Sequence, residues 1–463
     1  MRATTRRLVL AGGTVVDGTG AAPRPDTTVV IDGDAIVEVG PAAQLGQPAT
    51  SDTTEWVDCR GQWVMPGLID GHCHITFGEP DSNDELFFHR PASTSALLAG
   101  HNVGKLLRAG VTGFLDPDCI HDLGPAVRDA IEAGIIEGPR MSAGMNALLT
   151  AAGGTAGRLI PDTGRLGYAQ IVGNSDEMVR VTRQQIKHGA DWIKIHVTGL
   201  LPGRSGEHSV WTDDELREVV DTAHALDTPV VAHCRTAGST TQAARAGVDL
   251  LLHTSFMDEE ALEAVVTSGA ALCPTFTFLA NLCDHGHLVG SASTQVDLFR
   301  GEIAATAAMV RRAHDAGVRL LCGSESGFSL TPYGHWHARE LELFVSELGL
   351  DPLEAITCAT ANGAIALQQP LGRIGVVAEG ALADVLVVDA DPVADVSILG
   401  DRQHLVAVVS RGERVDLDRP WPSRRSLPGE KVGRWSGGPL TRDVVALAGD
   451  DGSVGGPGGG HDA

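Results

Sequence analysis

The chain has 463 residues, 43% of them hydrophobic and 20% charged, which supplies a large buried core and excludes global disorder. Lys plus Arg number 35 against 59 Asp plus Glu, a net charge of −24 that repels phosphate backbones and acidic membranes. Nucleic-acid binding and membrane binding are therefore excluded as the main task, and solubility is the plain reading of the charge. The opening MRATTRRLVLAGGTVVDGTG reads as a strand and turn rather than a secretion signal, and no run of 18 apolar residues is present. Cysteines stand singly at 59, 73, 119, 234, 273, 283, 322 and 358 with no C-x-x-C pair, so no thiolate metal site or redox motif is indicated. Most sit in apolar runs, as reduced cytoplasmic cysteines do.

Residues 7–65 read as short strands with turn punctuation: LVLAGGTVVDG, TTVVIDGDAIVEVG and EWVDCRGQWVMPG. The texture returns in GRIGVVAEGALADVLVVDA and HLVAVVSRGERV. Residues 1–66 and 372–430 are expected to form one small composite β-sandwich. Residues 431–463, ending in GDDGSVGGPGGGHDA, are expected to be a flexible tail.

The centre, residues 67–371, alternates differently. GVTGFLD, DWIKIHV, PVVAHC, DLLLHT, ALCPTF and VRLLCGS are short apolar runs, each followed by a helix-like stretch. TDDELREVVDTAHALD opens with the capping pair Thr212 and Glu215. Strand–helix units of roughly 25–40 residues imply a parallel sheet, and about eight of them close as an α/β (β/α)8 TIM barrel. An open doubly wound sheet is the alternative, but no G-x-G-x-x-G or G-x-x-x-x-G-K-[ST] loop supports a nucleotide site.

In PGLIDGHCHI, His72 and His74 are two apart on a strand, so both leave the same face. An isolated H-x-H is more often a surface or core pair than a metal site. Lys194 lies inside the apolar strand DWIKIHVTG, where an unpaired ammonium costs several kcal/mol. A lysine snorkelling from the strand end is the bland reading; a neutral amine taking up carbon dioxide as a metal-bridging carbamate is the functional one. His196 shares its face. VVAHC and DLLLHT end in His233 and His253, and two such histidines beside H-x-H are poorly explained by packing. VRLLCGSESG places Glu325 at another apolar strand end, where a buried carboxylate needs a cation or hydrogen bonds.

These motifs, in this order, resemble the amidohydrolase superfamily: H-x-H, bridging lysine, two histidines and a terminal acid. More narrowly, AGVDLLLHTSFMDEEALEAVV, ARELELFVSELGLDPLEAITCATANGA and LGRIGVVAEGALADVLVVDADPVADV resemble the imidazolonepropionase-like and Xaa-Pro dipeptidase branch. That branch includes ochratoxin, molinate and phenylurea hydrolases. The likeness runs from residue 8 to about 415. It implies the barrel with its composite β-sandwich. It also implies that His72, His74 and Glu325 hold the more buried metal, His233 and His253 the second, and carboxylated Lys194 the bridge. Two departures matter. Glu325 stands where the family has Asp, which puts a binuclear site in doubt against a mononuclear one. AAGGTAG at 151–157 stands where dipeptidase-like relatives carry T-G-G-H.

The resemblance implies one or two divalent ions, zinc first and cobalt, manganese or iron as alternatives, that lower the pKa of a water. Glu325 then takes the water's proton and passes it to the leaving nitrogen. The expected reaction is hydrolysis of an amide-type C–N bond in a small molecule: an N-acyl compound, a carbamate or a substituted urea. An Xaa-Pro-type dipeptidase and a metal-free structural homologue are the alternatives. Deaminase chemistry is disfavoured, because such relatives commonly lack the bridging lysine. Phe77, Phe87, Phe88, Phe276, Phe278, Phe328 and Trp336 are candidates for an apolar pocket, with His196, His208, His335 and His337 as polar substrate contacts. Arg158, Arg165 and Arg204 are candidate carboxylate anchors, though loop arginines are usually solvated. A homo-oligomer in the cytoplasm is expected.

Overall fold

The computed structural model describes residues 7–45, 54–80, 90–154, 165–199, 206–291, 295–368, 372–420 and 436–450. Both ends of the chain contribute to one eight-stranded sheet. Arg7–Val15, Arg24–Asp32, Ala35–Pro41, Thr54–Asp58 and Trp63–Pro66 come from the amino-terminal part, and Val385–Val388, Leu405–Ser410 and Glu413–Arg414 from the carboxyl-terminal part. The seam is the antiparallel pairing of Trp63–Pro66 with Val385–Val388. Strand alternation covers both faces of this seam. Val385 and Val387 join Leu8, Leu10, Val29 and Ile31 in a core belonging to the terminal sheet. Leu386 and Val388 point the other way, into the core of the central part.

The central part is α/β with parallel sheets. Leu68–Asp70, Val111–Asp116 and Arg140–Ala143 form a three-stranded parallel sheet. A seven-stranded sheet includes Ala147–Leu149, Ile193–His196, Val230–Cys234, Leu250–His253 and Ala271–Cys273 in parallel order. Backbone bonds link the pieces: Asp191 N–H to Ala143 O (2.7 Å), Leu321 N–H to Leu272 O (2.8 Å) and Gly71 N–H to Cys322 O (2.8 Å).

Helices alternate with these strands, among them Ser175–Lys187, Asp213–His224, Ala237–Ala246, Glu259–Ser268 and Val296–Asp315. Asp213–His224 starts where the sequence signal placed it. The Thr212 side chain accepts from Glu215 N–H while Glu215 reaches back to the Thr212 backbone. All eight cysteines are buried and free. Among the described residues no helix is long and apolar enough to cross a membrane.

Residues 436–450 fall in the stretch expected to be a tail, and within them Ser436 and Leu440 are buried. Arg442–Asp450 is helical, Leu440 is fully buried, and the Trp336 indole N–H donates to Leu440 O at 2.6 Å. A polar, glycine-rich composition hid one apolar anchor and a distant donor that needed its carbonyl.

Candidate metal centre

His72, His74, His233 and His253 stand at or just beyond the carboxyl ends of parallel strands, where side chains of neighbouring strands converge. His72 and His74 follow Leu68–Asp70, and their ring centroids lie 4.8 Å apart. Parallel register pairs His196 with His233 and Cys234 with His253. The rings consequently gather: His196 to His233 at 4.8 Å, His233 to His253 at 4.5 Å, and His253 to His72 at 5.3 Å. Glu325 follows the apolar run 318–322, where Leu320 makes an isolated parallel bridge to Leu272, and its N–H is bonded to His72 O at 2.7 Å. His72, His253 and Glu325 each bring a ligand atom within 4.8 Å of the others. The backbone is strained where it delivers them. His253, Thr275 and Glu325 sit at φ of 65°, 57° and 52°, a left-handed region that non-glycine residues seldom occupy.

Burial pushes His72 and His253 well below the ordinary imidazole range, reinforced by neighbouring histidines and Lys194, and brings His196 to about 4. Neutral imidazole is the form that ligates metal. Hydrogen bonds fix which nitrogen is offered. The Thr275 hydroxyl donates to Cys273 O (3.1 Å), so at 3.1 Å it accepts from His72 Nδ1–H, which leaves the lone pair on Nε2. His74 Nδ1 faces the Asp118 carboxylate at 3.0 Å and the Asp118 carbonyl at 3.3 Å. His253 Nε2 is buried with no hydrogen-bond partner and lies 4.0 Å from Glu325 Oε1. An orphaned ring nitrogen beside two oriented imidazoles and a carboxylate is a donor set that suits a divalent cation.

Lys194 is 1% exposed, and burial lowers its ammonium even though Asp118 and Glu325 act the other way. Burial likewise raises Glu325, against the pull of His74, His233, Arg235 and Lys194. Two further acids stand behind these groups: Asp118, which lines the cavity, and Asp116, 3.9 Å from His74 Nδ1. Burial raises Asp116 well above the carboxylate range, and the charge of Asp118 adds to it. For Asp118 burial is outweighed by Lys194, His74 and His196, so it stays ionised, with Oδ2 3.0 Å from His196 Nε2. GFLDPDC carried the signal that had marked Glu325: an apolar strand ending in carboxylates. Glu207 and Glu302 carried no such signal. Each meets the site through a loop or helix that returns to it.

A cavity of about 220 Å³ opens over these groups, lined by His72, His74, Lys194, His196, His233, His253 and Glu325. Phe77, Phe276, Phe278 and Phe328 form its apolar wall, as expected, joined by Tyr168 and Phe299. His208, His335, His337 and Trp336 do not line it. His208 lies on the short strand His208–Ser209. The His335 carbonyl accepts from Arg442 Nε at 2.7 Å, turning that loop toward the carboxyl-terminal helix. His337 is captured below the site, donating from Nδ1 to Asp70 at 2.7 Å while Nε2 accepts from Gly334 N–H. Phe87, Phe88, Arg158 and Arg204, and the side chain of Arg165, lie outside the described residues.

A polar pocket at the carboxyl ends of parallel strands is the usual place of an α/β enzyme's active site. The chain belongs to the amidohydrolase family, whose sequence profile matches residues 63–415. Ochratoxinase of Aspergillus niger is 27% identical over 459 aligned positions, covering 92% of this chain and 88% of that protein. The solved ochratoxinase structure shares the fold, with a TM-score of 0.77 at 24% identity over 89% of this chain and 96% of that one. A prolidase solved with N-methylphosphonate-L-proline has a TM-score of 0.75 at 28% identity, covering 88% and 99%.

Proposed function

We propose that the chain is a metal-dependent amidohydrolase that cleaves an amide-type C–N bond in a small, largely apolar molecule such as an N-acyl compound, carbamate or substituted urea. The observation that carries this reading is the convergence of His72, His253 and Glu325 within 4.8 Å, with the buried His253 Nε2 left without a partner. His72, His74 and Glu325 would hold one ion and His233 and His253 a second. Zinc is the first candidate, with cobalt, manganese and iron next. Such a cation, when bound, lowers the pKa of water and polarises a carbonyl.

The remaining work falls to the chain. Lys194, buried and with its charged form disfavoured, can use its amine lone pair to form an N–C bond to carbon dioxide, losing one proton as the carbamate forms. Glu325, raised by burial, holds a proton more readily than a solvated acid and can pass it to the leaving nitrogen. Phe276, Phe278 and Phe328 exclude water and seat an apolar substituent. Arg235, which also lines the cavity, spends its guanidinium on Glu302 at 2.7 Å from both carboxylate oxygens. That pairing supports a neutral substrate over one with a free carboxylate. A dipeptidase acting on proline-like substrates is the second reading, favoured by the likeness to the prolidase.

The architecture proposed for this chemistry is a closed (β/α)8 barrel at 67–371, supported by the backbone bonds at Asp191, Leu321 and Gly71. A composite β-sandwich from 1–66 and 372–430 would flank it. The free, buried cysteines support a cytoplasmic location. The test is elemental analysis of the purified protein, followed by a hydrolysis screen of N-acyl amino acids, carbamates, aryl ureas and dipeptides. Turnover of a neutral amide-type substrate with bound metal is expected. Protein that neither carries nor takes up zinc, cobalt, manganese or iron, and hydrolyses none of these, would be a structural homologue.

A further inference from the structure

His233 meets a carboxylate that belongs to no strand of the two parallel sheets. Glu207 precedes the strand His208–Ser209, which pairs antiparallel with Thr198–Gly199 just beyond the Lys194 strand. That short hairpin brings Glu207 Oε2 to 2.9 Å from His233 Nε2. The carboxylate is itself held in place. Oε2 accepts from the Thr198 hydroxyl at 2.5 Å, Oε1 lies 3.4 Å from Arg235 Nη1, and the side chain is 10% exposed. An ionised carboxylate only accepts, so a neutral His233 must carry its proton on Nε2 and its lone pair on Nδ1. His72 is fixed in the opposite sense by Thr275, and His74 by Asp118.

We propose that Glu207 is a positioning residue that locks His233 in the Nε2–H tautomer and so offers Nδ1 to the metal centre. The inference rests on the metal-dependent reading above and goes beyond it. It assigns the nitrogen and names the group that selects it. Carboxylates that take the second ring N–H of a ligand histidine fix its orientation and raise its basicity, and their loss costs about 10–100-fold in metal affinity. Glu207 has the geometry for that role at 2.9 Å from His233 Nε2.

The test uses full-length protein labelled with 15N-histidine, in which two-bond 1H–15N correlations distinguish the tautomers. The His233 signal is assigned by its loss in His233→Asn. The parent is compared with Glu207→Gln, which keeps an acceptor, and Glu207→Leu, which has none. Zinc affinity is measured by chelator competition. The expected result is an Nε2–H His233 in the parent and in Glu207→Gln. In Glu207→Leu the tautomer is lost or mixed and zinc affinity falls about 10–100-fold, with Glu207→Gln recovering most of it. A parent His233 protonated on Nδ1, or a Glu207→Leu protein with the parental tautomer and affinity, would overturn the proposal. A parent that takes up no zinc defeats the metal reading instead, while the tautomer in the same protein still decides what Glu207 does.

Discussion

Asp118 Oδ1 stands 3.0 Å from His74 Nδ1, a charged acid behind one member of the H-x-H pair. Its second oxygen reaches His196, so one carboxylate orients two imidazoles on adjacent parts of the cavity wall. Burial alone would neutralise it, and it is kept ionised first by Lys194 and then by the two histidines. Asp118→Ala should therefore lower metal affinity by about 10–100-fold while the fold survives. Asp118→Asn, which keeps one acceptor, should lie between the two. Chelator competition measures both, and parental affinity in Asp118→Ala would remove Asp118 from the centre.

Glu325 combines three properties that seldom coincide: a left-handed backbone, a side chain 21% exposed into the cavity, and a raised pKa. Proton transfer by a placed acid–base group is worth roughly 10²–10⁴-fold in rate. Glu325→Gln keeps the shape and removes the proton chemistry, so kcat should fall by about that factor with an unchanged melting curve. His72→Ala should lose metal together with rate, and elemental analysis of both variants separates the proton role of Glu325 from its part in holding the ion.

The residues legible in the sequence share one trait: each is marked by the strand that ends in it. His72, His74, Lys194, His233, His253 and Glu325 all follow or interrupt an apolar run, and parallel register does the rest. Asp118 carries the same mark, at the end of the apolar run GFLDPD. Glu207 had none, because its place is set by a hairpin closing on Thr198–Gly199, a contact that periodicity does not encode. His337 misled for the converse reason. It follows the apolar run 318–322 by a stretch long enough to reach the buried Asp70, which needed a donor. Trp336, whose apolar ring suits a pocket wall, instead donates its indole N–H to Leu440 O.

His335 gives the structure an acid-sensitive point away from the metal ligands. Burial lowers it to about 4, with Lys105 and His337 adding to the effect and Asp443 and Glu79 opposing it. Its Nδ1 accepts from Arg442 N–H at 3.4 Å, which requires the neutral ring. In the unfolded chain the ring takes up its proton near the ordinary imidazole value of 6.5. Between these two values the unfolded state binds more protons, so stability falls as pH drops from about 6.5 toward 4 and the loss is complete below that. The expected contribution is about 2 kcal/mol after allowance for partial exposure. Melting curves of the parent and His335→Gln should diverge across that window and run parallel above it. Parallel curves throughout would mean that His335 titrates normally.

Leu440 links the carboxyl-terminal segment to the cavity wall. It is fully buried with Val289, Leu330 and Trp336 in a small apolar cluster, and Phe278, packed against that cluster, also lines the cavity. Arg442 reinforces the clamp, its guanidinium 4.8 Å from the Trp336 ring and 2.8 Å from Glu342. Leu440→Ala would open a void beneath Trp336 at a cost of about 2–4 kcal/mol. The slack should reach Phe278 first, because Phe278 packs directly on this cluster whereas the ligand histidines do not belong to it. KM for an apolar substrate should therefore rise several-fold while kcat and metal content hold near parental values. A matched fall in kcat and metal would place the damage in the strands instead. An unchanged KM beside a lowered melting point would reduce the segment to a stabilising strap with no part in substrate binding.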